Sequence, residues 1–128
     1  MTQPRILLVD DEKHIRLFIG RILTSMNCKV IAEGGNGEEA IALYKEHSPH
    51  ITFLDINMPI KTGLEALKEI REIDPSALII MLSSIDESGS VEKCRDYGAT
   101  NYIRKDTSLE NMKLIIKETW DQHSKKKE

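Results

Sequence analysis

The 128-residue sequence predicts one α/β domain, a doubly wound (βα)5 fold with a five-stranded parallel sheet. Three observations support this fold class. Short apolar runs recur along the chain, as expected of strands that are buried on both faces. Amphipathic stretches with helical spacing separate them. No linker, repeat or low-complexity segment interrupts the alternation, so we expect a single domain over residues 1–128, with a flexible tail from about residue 122.

The first part of the chain contains three predicted strands, at residues 6–9, 29–32 and 50–54. Asp11 is well placed to begin the helix after the first strand, because aspartate is a favoured N-cap residue. The apolar stripe of that helix consists of Ile15, Phe18, Ile19, Ile22, Leu23 and Met26. A second helix carries on one side Ala40, Leu43 and Tyr44.

The rest of the chain contains two further predicted strands, at residues 78–82 and 101–104. Pro75 breaks the helical pattern before the first of them. A fourth helix, near Val91–Tyr97, is expected to end at Gly98, since glycine readily adopts the left-handed conformation of a helix C-terminus. The apolar positions of the third helix are Leu64, Leu67 and Ile70. Those of the fifth are Leu109, Met112, Ile115, Ile116 and Trp120.

Composition narrows the classes of function. The net charge of -3 and the pI near 5.8 argue against a dedicated nucleic-acid surface, which needs an excess of basic residues. Cys28 and Cys94 lie far apart and lack metal-ligand spacing, so we expect two free thiols in a reducing compartment. No apolar run is long enough to span a bilayer. We therefore expect a cytoplasmic protein that binds neither membranes nor nucleic acid directly.

Polar residues stand where the predicted strands end. Asp10 and Asp11 follow the first strand, Asp55 the third, Ser83 the fourth and Lys105 the fifth. The carboxyl ends of parallel strands meet at one edge of a sheet, where open α/β folds bind their ligands. Each residue alone has an ordinary explanation, such as a helix cap or a solvated turn lysine. Their joint placement favours one common site.

These residue types suit phosphoryl chemistry. Three neighbouring carboxylates repel one another unless a cation is bound, and Mg²⁺ is commonly held by one or two protein carboxylates together with phosphate oxygens. Lys105 offers a positive charge for a phosphoryl oxygen, and Ser83 offers a hydroxyl donor. Asp55 can act as the nucleophile and form an acyl phosphate. Mg²⁺ is therefore the predicted cofactor.

At this point the sequence resembles the receiver domain of two-component response regulators, the CheY-like family. The resemblance extends over about residues 5–120, and its motifs are residues 6–12, residues 54–59 with Gly63, residues 82–84 and residues 98–105. It implies the flavodoxin-like strand order 2-1-3-4-5. It also implies that the phosphoryl donor is a histidine kinase or a phosphotransfer protein, and that a downstream target protein reads the phosphorylated state.

The resemblance assigns roles to individual residues. Asp55 is the implied phosphoacceptor. The implied metal ligands are Asp10, Asp11, Asp55 and the backbone carbonyl of Asn57. Lys105 is the implied partner of the phosphoryl group.

The resemblance also implies which residues transmit the phosphorylated state to a target protein. Ser83 corresponds to the switch hydroxyl and Tyr102 to the switch aromatic. The implied output surface is formed by the fourth helix, the fifth strand and the fifth helix, and includes Lys93, Tyr97, Arg104 and Lys113. We further expect Ile85, two residues after Ser83, to shield the site from water and slow the loss of the phosphoryl group.

Two positions depart from the family pattern. Ser83 stands where threonine is common, so the packing of this loop is expected to differ. Asp106 stands where proline is common, which removes the expected cis peptide bond. The pair Lys105-Asp106 resembles receivers of NarL/FixJ-type DNA-binding regulators. Two hypotheses therefore stay open: a stand-alone receiver, which we favour, and a receiver fragment of a longer, DNA-binding regulator.

Two further classes are weaker alternatives. A phosphatase with an aspartate nucleophile, similar to haloacid dehalogenases, needs a second aspartate where this sequence has Asn57. A receiver that is never phosphorylated would lack one of the acidic residues or the lysine, and all of them are present. We expect no enzyme activity beyond the protein's own phosphotransfer and dephosphorylation.

Overall fold

The structure is a computed structural model that describes residues 3–84 and 88–127. Within these residues, five strands alternate with five helices, as predicted. The strands are β1 (Arg5–Val9), β2 (Lys29–Gly34), β3 (Ile51–Asp55), β4 (Ile79–Ser83) and β5 (Asn101–Arg104). The helices are α1 (Lys13–Ser25), α2 (Gly37–His47), α3 (Gly63–Ile73), α4 (Ser88–Asp96) and α5 (Leu109–Lys127).

All five strands lie in one parallel sheet with the order β2-β1-β3-β4-β5, which confirms the predicted topology. The register sets where each strand ends. Val9 is paired with Leu54, so that the next residues, Asp10 and Asp55, lie side by side at the ends of β1 and β3. Ser83 is paired with Arg104, which places Lys105 just beyond the end of β5. The polar residues at the strand ends are thus brought to one edge, as expected of parallel strands.

A hydrophobic core lies on each face of the sheet, because successive side chains of a strand point to opposite faces. On one face, α1 and α5 cover Ile6, Leu8, Phe53 and Ile80. On the other face, α2, α3 and α4 cover a second set: Leu7, Val9, Leu54, Ile79 and Met81. The burial of the strands on both faces explains their nearly continuous apolar sequences. Cys28 and Cys94 are buried and are not joined in a disulfide bond, as predicted.

Helix ends show where the sequence prediction was right and where it was wrong. Gly98 follows α4 with a φ angle of 93°, in agreement with its predicted role at the end of this helix. Asp11, in contrast, does not cap α1. The N-cap is Glu12, one residue later, and its side chain makes no capping hydrogen bond. The local preference of aspartate for N-caps is a weak signal, and the register of α1 against the sheet overrides it.

Other boundaries differ from the predicted ones by a few residues. Helix α4 begins at Ser88, three residues before the predicted Val91. Helix α5 continues to Lys127, through residues for which we expect a tail. The flexibility of that segment stays a prediction. Among the described residues, none of the helices has the length and apolar character needed to cross a membrane.

Candidate functional site

Three aspartates meet at the carboxyl edge of the sheet. Each of Asp10, Asp11 and Asp55 offers a carboxylate oxygen, and these oxygens lie within 4.8 Å of one another. Asp10 and Asp55 are 0% and 2% exposed, whereas Asp11 faces solvent. The backbone N–H of Glu12 donates to Asp10 Oδ1 over 2.9 Å, and the carbonyl of Asp10 accepts a hydrogen bond from Arg16. These bonds fix Asp10 at the end of β1.

Lys105 extends over these aspartates. Its Nζ lies 3.0 Å from Asp10 Oδ2 and 3.3 Å from Asp55 Oδ2. Its backbone N–H donates to the carbonyl of Ser83 over 2.7 Å, which ties the residue to the end of β4. Lys105 also contacts Glu12, with 3.2 Å between Nζ and Oε1. We call Asp10, Asp11, Glu12, Asp55 and Lys105 the acidic cluster.

Glu12 is a member of this cluster that sequence reasoning missed. The signal was available, because Glu12 directly follows Asp10 and Asp11 and belongs to the motif that carries the family resemblance. A position at the start of a helix, however, indicates a cap or a solvated acid rather than a contact with a lysine 93 positions away.

Buried polar atoms in the site have no hydrogen-bond partner among the described residues. They include Asp55 Oδ1 and Ser83 Oγ. A buried polar group left in this condition costs about 1–3 kcal/mol. The four carboxylates of the cluster are accompanied by one ammonium group, which contacts those of Asp10, Glu12 and Asp55. A divalent cation and a phosphoryl group would supply the missing charge and partners, so the donor set fits Mg²⁺, a hard ion that prefers oxygen ligands.

The electrostatics of Asp55 agree with this view. Burial and the nearby charge of Asp10 raise the pKa of Asp55 to about 8, although Lys105 acts in the opposite direction. Burial lowers the pKa of Lys105, but its hydrogen bond to Asp10 and the charges of Asp55 and Asp10 outweigh that effect and raise it above its usual value. Lys105 is therefore a permanent cation beside a carboxylate that is costly to ionise.

Gly63 has a positioning role that the sequence did not reveal. A Cβ atom at this position would lie 1.7 Å from the backbone oxygen of Asp55, which is an impossible contact. The N–H of Gly63 donates to the carbonyl of Ile56 over 2.8 Å. Thr62 and Glu65 then begin α3 with a capping box. Because glycine has no side chain, the start of α3 packs directly against the end of β3. This contact fixes the backbone at Asp55.

The remaining predicted residues lie around the cluster. Asn57 is exposed in the loop after β3, two residues beyond Asp55, and its role as a carbonyl ligand stays a prediction. Tyr102 lies on β5 with 39% of its surface exposed, next to a cleft of about 130 Å³ between α4 and β5. Ser83 is buried at the end of β4. Ile85 lies outside the described residues.

The predicted output surface is accessible. Lys93 and Tyr97 are exposed on and just after α4, and the ring of Tyr97 is approached by Lys68 Nζ from α3 at 5.7 Å. Arg104 is exposed on β5 and donates two hydrogen bonds to the carboxylate of Asp106, 3.1 Å and 2.8 Å long. Asp106 is the residue that stands where the family commonly has proline. Among the described residues the chain has no cis peptide bond.

Comparison with protein families agrees with this geometry. The model of the response regulator receiver domain matches residues 6–117. The chemotaxis protein CheY of Bacillus subtilis is 40% identical over 115 residues, which are 90% of this chain and 96% of that protein. The chemotaxis protein CheY of Halobacterium salinarum is 41% identical over 101 residues, which are 79% of this chain and 83% of that protein.

Solved structures show the same fold. The receiver domain of AraT from Geobacillus stearothermophilus superposes with a TM-score of 0.90 at 26% identity, covering 99% of this chain and all of that one. The CheX-CheY-BeF3-Mg complex from Borrelia burgdorferi gives a TM-score of 0.80 at 33% identity and covers 84% of this chain and 82% of that one. Since the family model matches residues 6–117 and the CheY relatives are about 40% identical over most of their length, the chain belongs to the response regulator receiver domain family.

Proposed function

We propose that this receiver is a phosphorylation-dependent switch of a two-component system. It accepts a phosphoryl group from a histidine kinase or a phosphotransfer protein on Asp55, and thereby changes its affinity for a downstream target protein. The observation that carries the proposal is the buried Asp55 carboxylate, which has one oxygen at Lys105 and another without a hydrogen-bond partner among the described residues.

The proposal includes a bound Mg²⁺. The carboxylates of Asp10, Asp11 and Asp55 would hold it together with the backbone carbonyl of Asn57. When bound, the ion offsets the negative charge of the cluster and withdraws electrons from the oxygens of the transferring phosphoryl group. The structural similarity to the CheX-CheY-BeF3-Mg complex from B. burgdorferi supports this part of the proposal.

Different residues of the chain carry out different parts of the phosphotransfer. A carboxylate oxygen of Asp55 forms a bond to phosphorus while the phosphorus–nitrogen bond of the donor phosphohistidine breaks, and the electron pair of that bond stays on the imidazole nitrogen. The ammonium group of Lys105 and the hydroxyl group of Ser83 stabilise the charge of the phosphoryl oxygens. In dephosphorylation, water attacks phosphorus, the bond between phosphorus and Asp55 breaks with its electron pair on the carboxylate, and inorganic phosphate is released.

The output depends on Ser83 and Tyr102. A hydrogen bond from Ser83 to the phosphoryl group would draw the end of β4 inward and open space beside β5. Tyr102 would then move from its exposed position toward the cleft between α4 and β5. A coupling of about 1–3 kcal/mol is usual for linked sites and changes the affinity for a partner by roughly tenfold. The target would therefore bind the face formed by α4, β5 and α5.

We also propose a cytoplasmic location. The two cysteines, Cys28 and Cys94, are not joined in a disulfide bond, which is typical of proteins in a reducing compartment.

Acetyl phosphate tests the assignment of the acceptor. The protein is incubated with acetyl phosphate and Mg²⁺, and its intact mass is measured. We expect one phosphoryl adduct that disappears when Mg²⁺ is chelated and is absent from Asp55→Asn. The matched control is Asp74→Asn, which removes a carboxylate at the opposite edge of the sheet and should leave the adduct in place. An adduct that survives Asp55→Asn would assign the acceptor elsewhere.

A further inference from the structure

Glu12 stands at an N-cap position but does not act as a cap. In α2 and α3 the N-cap side chains accept hydrogen bonds from the backbone: Asn36 Oδ1 from Glu39, and Thr62 Oγ1 from Glu65. The carboxylate of Glu12 makes no such bond. It turns instead to Lys105, with 3.2 Å between Oε1 and Nζ. Helix capping therefore does not explain the orientation of the Glu12 side chain, whereas the contact with Lys105 does.

The contact has a cost for phosphorylation. The ammonium group of Lys105 has three N–H donors, and it contacts three carboxylates, those of Asp10, Glu12 and Asp55. Mg²⁺ would offset the charges of Asp10 and Asp55, which belong to the metal set. Glu12 lies outside that set and is 48% exposed. With the metal bound, Glu12 would be the acid whose charge is not offset, so that it would still attract Lys105 and repel an incoming phosphoryl group.

We propose that Glu12 is a positioning residue that competes with the phosphoryl group for Lys105 and thereby restrains the phosphorylation of Asp55. This inference rests on the proposed function. When the phosphoryl group arrives, Lys105 exchanges the carboxylate of Glu12 for a phosphoryl oxygen. Glu12 is half-exposed and turns to solvent, where its charge is fully hydrated.

The charge of Glu12 should have opposite effects on the two ligands of the site. Its removal favours a bound anion, because Lys105 becomes available and a repulsion disappears. It does not favour a bound cation, because the cluster loses negative charge. Damage to the folded structure of the site would instead weaken the binding of both ligands. The pair of affinities therefore separates competition for Lys105 from a merely structural role.

The experiment compares the parent protein with Glu12→Gln, which keeps the size of the side chain and removes its charge. Beryllofluoride, an anion that mimics the phosphoryl group, is titrated at saturating Mg²⁺, and Mg²⁺ is titrated alone. Both titrations are followed by the amide resonances of residues near Asp55. Glu118→Gln is the matched control, because Glu118 is an exposed acid on α5. Glu12→Ala removes the carboxylate without adding an amide.

We expect Glu12→Gln and Glu12→Ala to bind beryllofluoride roughly three- to tenfold more tightly, as follows from the loss of one partly screened charge interaction. Their affinity for Mg²⁺ alone should stay the same or fall, and phosphorylation by acetyl phosphate should become faster. Glu118→Gln should match the parent in all three measurements.

Unchanged or weaker binding of beryllofluoride by both Glu12 variants would overturn the inference. An equal gain in Glu118→Gln would also overturn it, since net charge would then be the cause. These results leave the proposed function intact as long as the parent binds beryllofluoride in a manner that depends on Asp55. A parent that does not bind it would refute the proposed function, and the role of Glu12 with it.

Discussion

Two clusters of charged side chains lie at opposite edges of the sheet and are balanced in different ways. At the amino edge, Arg71 Nη2 donates to the carbonyl of Gly98 over 2.6 Å, and Nη1 donates to that of Pro75 over 2.9 Å. The hydroxyl group of Tyr44 donates to Asp74 Oδ2 over 2.7 Å. We call Tyr44, Arg71, Asp74 and Gly98 the Arg71 cluster. Its groups donate to and accept from one another, which joins α3 to the turn between α4 and β5.

The acidic cluster at the carboxyl edge has four carboxylates for one ammonium group, and Asp55 Oδ1 is buried without a hydrogen-bond partner among the described residues. Such an arrangement is unfavourable in the folded protein by itself. Polar groups in folded proteins are normally satisfied, and exceptions mark places where a ligand or a reaction supplies the missing partner. The groups of the Arg71 cluster satisfy one another, as expected of a cluster that stabilises the fold, whereas the acidic cluster has the unsatisfied groups expected of the binding site that we propose.

The largest expected effect on stability belongs to the Arg71 cluster. Arg71→Ala should lower the free energy of unfolding by about 2–3 kcal/mol, because several charge-assisted hydrogen bonds are lost and the carbonyl of Gly98 loses its partner. Urea denaturation measures the change. Glu72→Ala, at an exposed neighbouring position, should change it by less than about 0.5 kcal/mol. Equal losses in the two variants would show that Arg71 is not a stabilising link.

The response to a phosphoryl mimic should depend on residues at the acidic site and not on residues of the Arg71 cluster. Lys105→Ala and Ser83→Ala should fold and still bind Mg²⁺, but their response to beryllofluoride should weaken by roughly tenfold or more, since each loses a bond to the anion. Arg71→Ala should respond like the parent under conditions where it is folded. Amide spectra recorded during the titration provide the measurement. If beryllofluoride shifts the spectra of Lys105→Ala and Ser83→Ala as it does the parent's, the roles assigned to them are wrong.

Asp55→Asn should stabilise the metal-free protein, the reverse of what a mutation in the Arg71 cluster does. The pKa of Asp55 is about 8 in the folded state, above the usual value of 3.8, so the folded state binds the proton more tightly. Protonated Asp55 therefore stabilises the parent protein; this contribution is complete below the usual pKa of 3.8 and is lost as the pH rises through about 8, where Asp55→Asn keeps its stability.

Near neutral pH, Asp55→Asn should therefore raise the free energy of unfolding by at least about 1 kcal/mol, roughly one pKa unit, and flatten its decrease with pH. Asp74→Asn should instead destabilise the protein, because Tyr44 donates to this carboxylate. Urea denaturation at several pH values without metal tests both changes. A parent whose stability does not fall between about pH 5 and 8 would contradict the prediction.

The smallest expected effect concerns the path from the acidic cluster to the output surface. Binding of beryllofluoride should change hydrogen exchange in α4 and β5, near Tyr102, while β2 stays unchanged because it lies at the opposite side of the sheet from β5. Hydrogen exchange of the free and beryllofluoride-bound protein measures this. Changes confined to α1 and α2 would place the output surface elsewhere.

The fold class, and the meeting of the polar residues at one edge of the sheet, could be predicted from the sequence alone. Apolar runs separated by amphipathic stretches indicated a parallel sheet, and the sheet's geometry then required Asp10, Asp55, Ser83 and Lys105 to meet at one edge, whatever their separation in the chain. The prediction succeeded because it used a rule about strand direction. It needed neither exact boundaries nor side-chain conformations.

Tertiary packing set the contacts and helix ends that depend on distances of about an ångström or on a shift of one residue. It moved the N-cap of α1 from Asp11 to Glu12 and turned the Glu12 side chain toward Lys105. It brought Gly63 against the carbonyl of Asp55 and Arg71 against that of Gly98, 27 positions away. Such contacts depend on how the helices pack against the twisted sheet and on which rotamers the neighbouring side chains allow. These rotamers depend on residues that are distant in the chain, so a local pattern of residue types does not predict them.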